Sequence, residues 1–168
     1  MKAGVKARRL AAVTGGESVV LTFAPHPAKV LNPRYAPPLI TTPARKLELI
    51  AEAGIDVCVV EPFNAALAAL APEDFVDRIL VEALGAKAVV VGYDFSFGRA
   101  RAGNPERLAT LGTARGFSVT VIEPVAVDGL VCSSTRVREF VLEGRVEGAR
   151  LLLGRDFELA GEVVRGAG

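Results

Sequence analysis

Residues 132–141 read CSSTRVREFV, so three hydroxyls (Ser133, Ser134, Thr135) run straight into two arginines, Arg136 and Arg138. If a helix starts here, cations occupy its first turns, where the macrodipole disfavours them by about 0.3–1 kcal/mol each. The stretch APEDFVDRIL is an internal control, because its helix opens with Pro72, Glu73 and Asp74, the usual order. Free N–H groups, hydroxyl donors and a guanidinium fork together suit a phosphate chain. One hydroxyl must serve as N-cap in any case. For Arg136 an exposed helix face is an equally plain reading.

Two further stretches carry chemistry. In TFAPHP, Pro25 and Pro27 bracket His26, the only histidine of the chain, at the exit of an apolar run. His26 reads either as a loop residue or as an imidazole contact to a phosphate or nucleotide ring. In VVVGYDFSFG, Gly92 and Gly98 bracket Asp94, Phe95, Ser96 and Phe97. Strand alternation puts both phenylalanines on one side, where they could stack on a flat heterocycle or pack under a helix.

These stretches need a scaffold that brings them together. SVVLTF (18–23), DVCVVE (56–61), KAVVVG (87–92) and SVTVIE (118–123) are short, β-branched and almost continuously apolar. Such runs are expected to be strands covered on both faces. Helical stretches lie between them, ending at Gly54, Gly85 and Gly116. Alternation of this kind predicts an α/β fold, a doubly wound parallel sheet with right-handed crossovers. Ligands of open α/β sheets sit outside the carboxyl ends of the strands, where PHP, GYDFSFG and the CSSTRVR stretch are all expected to fall. Two helices follow, STRVREFVLEG and VEGARLLLG, and the tail DFELAGEVVRGAG then takes up a strand rhythm.

The totals narrow the function. At 168 residues, with mean hydropathy +0.37, the chain suits one sizeable core. Twenty basic and nineteen acidic residues leave +1, with no global field for nucleic acid or an anionic membrane. Two cysteines and one histidine give no zinc framework and fit a reducing, cytoplasmic setting. No metal-ligand cluster stands out. Residues 1–16 are basic and acid-free, which suits an ordinary first helix stopping at Gly15 and Gly16 or, alternatively, a transit peptide. There is no GxxxxGK[ST], no GxGxxG after a strand and no GxSxG elbow.

SVVLTFAPHP, LITTPARKLELIAEAGIDVCVVEPF, LAPEDFVDRIL, AVVVGYDFSFG and CSSTRVREFVLEGRVEGARLLLGRDFELAGEVV resemble, in order and spacing, the prokaryotic bifunctional riboflavin kinase/FAD synthetase family. The resemblance implies a Rossmann-like nucleotidyltransferase domain over residues 1–154. It also implies that 155–168 is the first strand of a riboflavin kinase β-barrel whose remainder is not in this sequence. The activity implied is FMN adenylyltransferase: ATP and FMN give FAD and pyrophosphate, with Mg2+ accompanying ATP. Alternatives are a non-catalytic nucleotide- or flavin-binding module, or an adenylyltransferase with another acceptor.

By this resemblance Ser133, Ser134, Thr135 and Arg138 match the family's SSTxxR phosphate motif, with Ser134 and Arg138 stabilising the reacting phosphate. His26 belongs with the ATP contacts. Pro25, Pro27, Gly92, Asp94, Phe95, Phe97 and Gly98 belong with the flavin and nucleotide contacts. The family opens with a strand leading into GxFDGxHxGH, which has no counterpart here. The first strand of the fold is then missing beside SVVLTF, and unpaired strand edges are expected. Oligomeric state stays open.

Overall fold

The structure is a computed structural model that describes residues 2–166. A first helix, α1 (Lys2–Thr14), stops where Gly15 takes a positive φ of 66°. This is the plain helix that the glycine pair signalled. Four strands follow in the expected places: β1 (Val19–Ala24), β2 (Val57–Pro62), β3 (Ala88–Gly92) and β4 (Ser118–Ile122). β1 pairs parallel with β2, in register Val19 to Val57, and β3 pairs parallel with β4, in register Ala88 to Ser118. The ladders form two separate two-stranded sheets, and no ladder joins β1 to β3 among the described residues.

The α/β class and the parallel pairing agree with the sequence. Burial does not. Of all the residues in β1–β4 only Val91 is buried; the others are half-buried or exposed. Continuous apolarity marks strands meant for the inside of a wider sheet, but each sheet here is a pair with an edge on either side.

The intervening helices are α2 (Pro27–Leu31), α3 (Pro43–Glu52), α4 (Ala65–Ala68), α5 (Pro72–Phe75) and α6 (Pro105–Arg115). α5 opens with Pro72, Glu73 and Asp74, and the chain then continues in a π-helical stretch over Val76–Ala83. α6 has Asn104 as N-cap, its side chain accepting from Arg107 N, and ends at the left-handed Gly116. A two-residue hairpin, β5 (Ala126–Val127) and β6 (Leu130–Val131), precedes α7 (Ser134–Leu142) and α8 (Val146–Leu153).

The chain divides into two compact units. One comprises the residues up to Pro37 with Leu49–Glu123; the other comprises Pro38–Glu48 with the residues from Pro124 onward. The cut passes through α3. The first unit's core gathers Phe75, Val76, Leu80, Val91, Phe97, Leu108 and Phe117. Its rim is tied by carboxylates: Glu73 accepts from Arg107 at 2.7 Å, Asp77 pairs with Arg115, and Asp56 accepts from Ser18 N and Oγ at 2.8 and 2.6 Å. The hydrogen bonds from Ser18, Arg107 and Arg115 hold Asp56, Glu73 and Asp77 respectively below the usual carboxylate range.

In the second unit Val137 and Phe140 of α7 pack with Ala149 of α8, with Ile40 and Leu130 alongside. The helices approach closely because position 148 is glycine: a Cβ there would lie 2.8 Å from the Phe140 ring. The segment 155–166, read as the start of a strand, carries neither helix nor strand. Leu159, Val163 and Val164 are exposed, and no partner strand stands beside them among the described residues.

Candidate functional site

The first unit places two of the three candidate stretches at carboxyl ends of parallel strands. β1 runs out at Ala24 into Pro25, His26 and Pro27. His26 is the N-cap of α2: its Nδ1 accepts the N–H of Ala28 at 3.1 Å, so a neutral ring carries its proton on Nε2. The imidazole is half-buried, and one of its nitrogens has a structural duty.

β3 ends at Gly92, and the chain turns at once, with Phe95 N donating to Gly92 O at 3.1 Å. The alternation expected to run through Phe97 therefore breaks at Tyr93. Phe95 and Phe97 still stack on each other, with centroids 5.5 Å apart and 19° between planes. Phe97 is only 6% exposed, belongs to the core and meets Phe75 at 5.6 Å, so its ring is chiefly a packing group, the alternative to a ligand contact that the sequence left open. Gly103 makes this possible, since a Cβ there would sit 2.6 Å from the Phe97 ring. Phe95 is half-buried above it, and Asp94 is exposed. Gly98 has φ of 72° and presses against Pro72, a fit that a side chain would prevent.

Both stretches border one large cavity of the first unit, about 1160 Å³, whose wall includes Pro27, Phe95, Phe97 and Gly98. Pro25, His26, Gly92 and Asp94 are not part of that wall. The wall also holds Arg101, which the sequence reading passed over; its Nε donates to Ser96 Oγ at 2.8 Å. Arg101 and its neighbour Ala100 have φ of 59° and 53°, unusual for residues with a side chain. The pattern FGRARAG, cations directly after the aromatic stretch, was the signal available.

The third stretch, expected at a parallel-strand end like the other two, instead belongs to the second unit and follows the antiparallel strand β6. Ser133 is the N-cap of α7, its Oγ accepting Arg136 N at 3.2 Å, while Ser134 and Thr135 lie exposed in the first turn. No acidic side chain occupies that turn. Arg136 proves to be the plain surface case. Its guanidinium pairs with Glu139 at 3.2 Å, one turn on, and both side chains are about half exposed. Arg138 turns the other way, and its Nε donates to the carbonyl of Pro38 at 2.7 Å. Holding a guanidinium by one N–H orients the rest of the fork. Among the described residues no three His, Cys, Asp or Glu side chains converge as metal ligands would. No helix among them is long and apolar enough to cross a membrane.

Comparison with known proteins follows the same lines. The family model for FAD synthetase matches residues 5–136. A bifunctional riboflavin kinase/FMN adenylyltransferase of Pseudomonas fluorescens is 38% identical over 159 residues, covering 95% of this chain and 51% of that protein. The proteins so named from Listeria monocytogenes and Escherichia coli K12 are 36% and 34% identical over 96% and 88% of this chain. This chain spans about half the length of these relatives, 51% and 47% of the last two. A crystal structure described as a macrolide-efflux protein from Streptococcus pneumoniae superposes with a TM-score of 0.79 at 26% identity, over 93% of this chain and 59% of that one. The parallel strand pairs and crossover helices are thus those of a nucleotidyltransferase-like α/β fold, and the chain belongs to the FAD synthetase family.

Proposed function

We propose that this chain is an FMN adenylyltransferase module, which joins ATP and FMN into FAD. In that reaction an oxygen of the FMN phosphate attacks the α-phosphorus of ATP. The bond from that phosphorus to the bridging oxygen breaks, pyrophosphate leaves with the electron pair, and AMP stays on the flavin. The protein's task is to position the two phosphates and to steady negative charge while the bonds exchange.

The observation that carries the reading is the exposed, acid-free amino end of α7, where Ser133 caps and Ser134 and Thr135 present N–H and hydroxyl groups. In this reading Ser134 and Arg138 stabilise the reacting phosphate, with Ser133, Thr135 and His26 on the ATP side. Pro25, Pro27, Gly92, Asp94, Phe95 and Gly98 serve the flavin and nucleotide ends, and Phe97 backs Phe95 from the core. In this reading Mg2+ arrives on the ATP phosphates, its usual mode in nucleotide sites. Nucleic acid and membrane have no part in the reading.

A second reading, a module that binds ATP and FMN without joining them, is favoured by one fact. His26 Nδ1 accepts the Ala28 N–H and caps α2, so this nitrogen does not meet a transferring phosphate. Chromatography for FAD after incubation with FMN, ATP and Mg2+, beside calorimetry with each substrate, separates the two. FAD above the enzyme-free blank is the expected result. Binding of both substrates without FAD selects the second reading, and failure of both to bind contradicts both.

A further inference from the structure

After the aromatic stretch, the first unit builds a loop whose conformation its own contacts do not explain. Phe97 and Gly103 close its base with paired backbone bonds: Phe97 N donates to Gly103 O at 3.1 Å, and Gly103 N to Phe97 O at 2.9 Å. Both residues are buried, and Arg99 N donates to the carbonyl of Leu70 at 2.7 Å. The loop is thus pinned to the framework. Between these anchors Ala100 and Arg101 are both left-handed, with φ of 53° and 59°, and both are exposed. A side chain makes that conformation costly at each position, and glycine would remove the cost. The side-chain bond that results runs from Arg101 Nε to Ser96 Oγ at 2.8 Å; it is exposed and offsets little of the cost. Strained residues on a rigid base are typical of ligand clamps.

What the tether does is orient the guanidinium. With Nε held, the planar group has a fixed direction, and neither Nη has a protein partner among the described residues. Other arginines of this unit are spent on carboxylates, Arg107 on Glu73 and Arg115 on Asp77. Ser96 accepts from Arg101, so its own O–H can be given to a further acceptor. Arg101 and Ser96 follow the carboxyl end of β3 and border the same cavity as Pro27 and Phe95. An unspent fork beside a hydroxyl donor matches a phosphomonoester, whose several terminal oxygens accept from both at once. A neutral ring edge would leave the charge unanswered. The proposed reaction brings a second phosphate beside the ATP chain assigned to α7, and no cation has been given to it.

We propose that Arg101, with Ser96 beside it, holds the phosphate of FMN and thereby makes the module select the phosphorylated flavin over riboflavin. Arg101 is then a substrate-binding residue that carries specificity for the acceptor, and the left-handed backbone is the cost of aiming its fork. The inference rests on the adenylyltransferase reading and adds to it the side chains that recognise the acceptor's phosphate.

The test is calorimetry of the full chain with FMN, riboflavin and ATP in turn. The parent should bind FMN about ten- to a hundredfold more tightly than riboflavin. Arg101→Ala should erase that preference by weakening FMN, with riboflavin and ATP unchanged within a factor of about two. Arg101→Gly removes the fork and the backbone strain together. It should lose the preference while its melting temperature rises, which an arginine with a purely structural role would not give. Arg101→Lys, which keeps the charge without the fork, should recover only part of the preference. Unchanged FMN affinity in the alanine and glycine variants overturns the proposal and leaves the adenylyltransferase reading standing. So do a parent without the preference, equal weakening of FMN and riboflavin, which would put Arg101 on the flavin ring, and a loss confined to ATP. A parent chain that binds neither flavin overturns the proposal and that reading together.

Discussion

Arg138→Ala should raise the Kd for ATP about ten- to a hundredfold while leaving the Kd for FMN within a factor of about two, because one charged hydrogen-bonded contact is worth about 1.5–3 kcal/mol. The side chain sits in the second turn of α7, with its Nε held by the Pro38 carbonyl, and that tether aims the fork. The same tether complicates the variant, since its loss also frees residue 38. Arg138→Lys is the control: it keeps the charge and gives up the bidentate geometry. Calorimetry with each substrate, beside the melting temperature, distinguishes the roles. A lowered melting temperature with unchanged ATP affinity would make Arg138 a structural strut of the second unit.

Leu108→Ala should lower the unfolding free energy by about 2–5 kcal/mol in urea, the range for truncating a fully buried leucine. Leu108 is 0% exposed and stands among Phe75, Val76, Leu80, Val91, Phe97 and Phe117. It is therefore the peg joining α6 to the π-helical stretch and β3. Phe97 shares this cluster, so the variant should loosen the seat of Phe95 too, and near-ultraviolet circular dichroism of the aromatic stretch reports that. A loss below about 1 kcal/mol would mean that the core collapses around the gap.

What the sequence disclosed and what it withheld have separate physical causes. The β-branched runs placed β1 to β4 within a residue or so, and Gly15, Asn104 and Gly116 marked helix ends through their φ or their caps. The short elements escaped. α2 forms because the His26 ring caps it, a local bond that no periodicity announces. The hairpin β5–β6 turns at Asp128-Gly129, both with positive φ, a dipeptide that does signal such turns and was available to be read. Burial was over-read, because apolar runs report the sheet that a strand was selected for and say nothing of whether its neighbour is there.

At the candidate site the three stretches stand out in the sequence by residue type, while the surroundings of individual side chains do not. For Arg136 the sequence left an exposed helix face open beside an anion contact, and Glu139 one turn away takes up its charge. Helical spacing of three was enough to suspect that. For Phe97 the sequence left stacking on a ligand and packing under a helix both open, and Gly103 lets it sink into the core, a tertiary event without a local mark. The unpaired edge expected beside SVVLTF is seen, since among the described residues β1 pairs with β2 alone.

The claim on which the functional account turns is that a polyphosphate docks on the first turn of α7. It is tested most directly by titrating ATP into nitrogen-15-labelled protein and following the backbone amides. The account predicts that the N–H signals of Ser134, Thr135 and Arg136 move furthest and saturate together, with Arg138→Ala weakening the response. Saturable shifts confined to other residues, with those three signals unmoved, would contradict it.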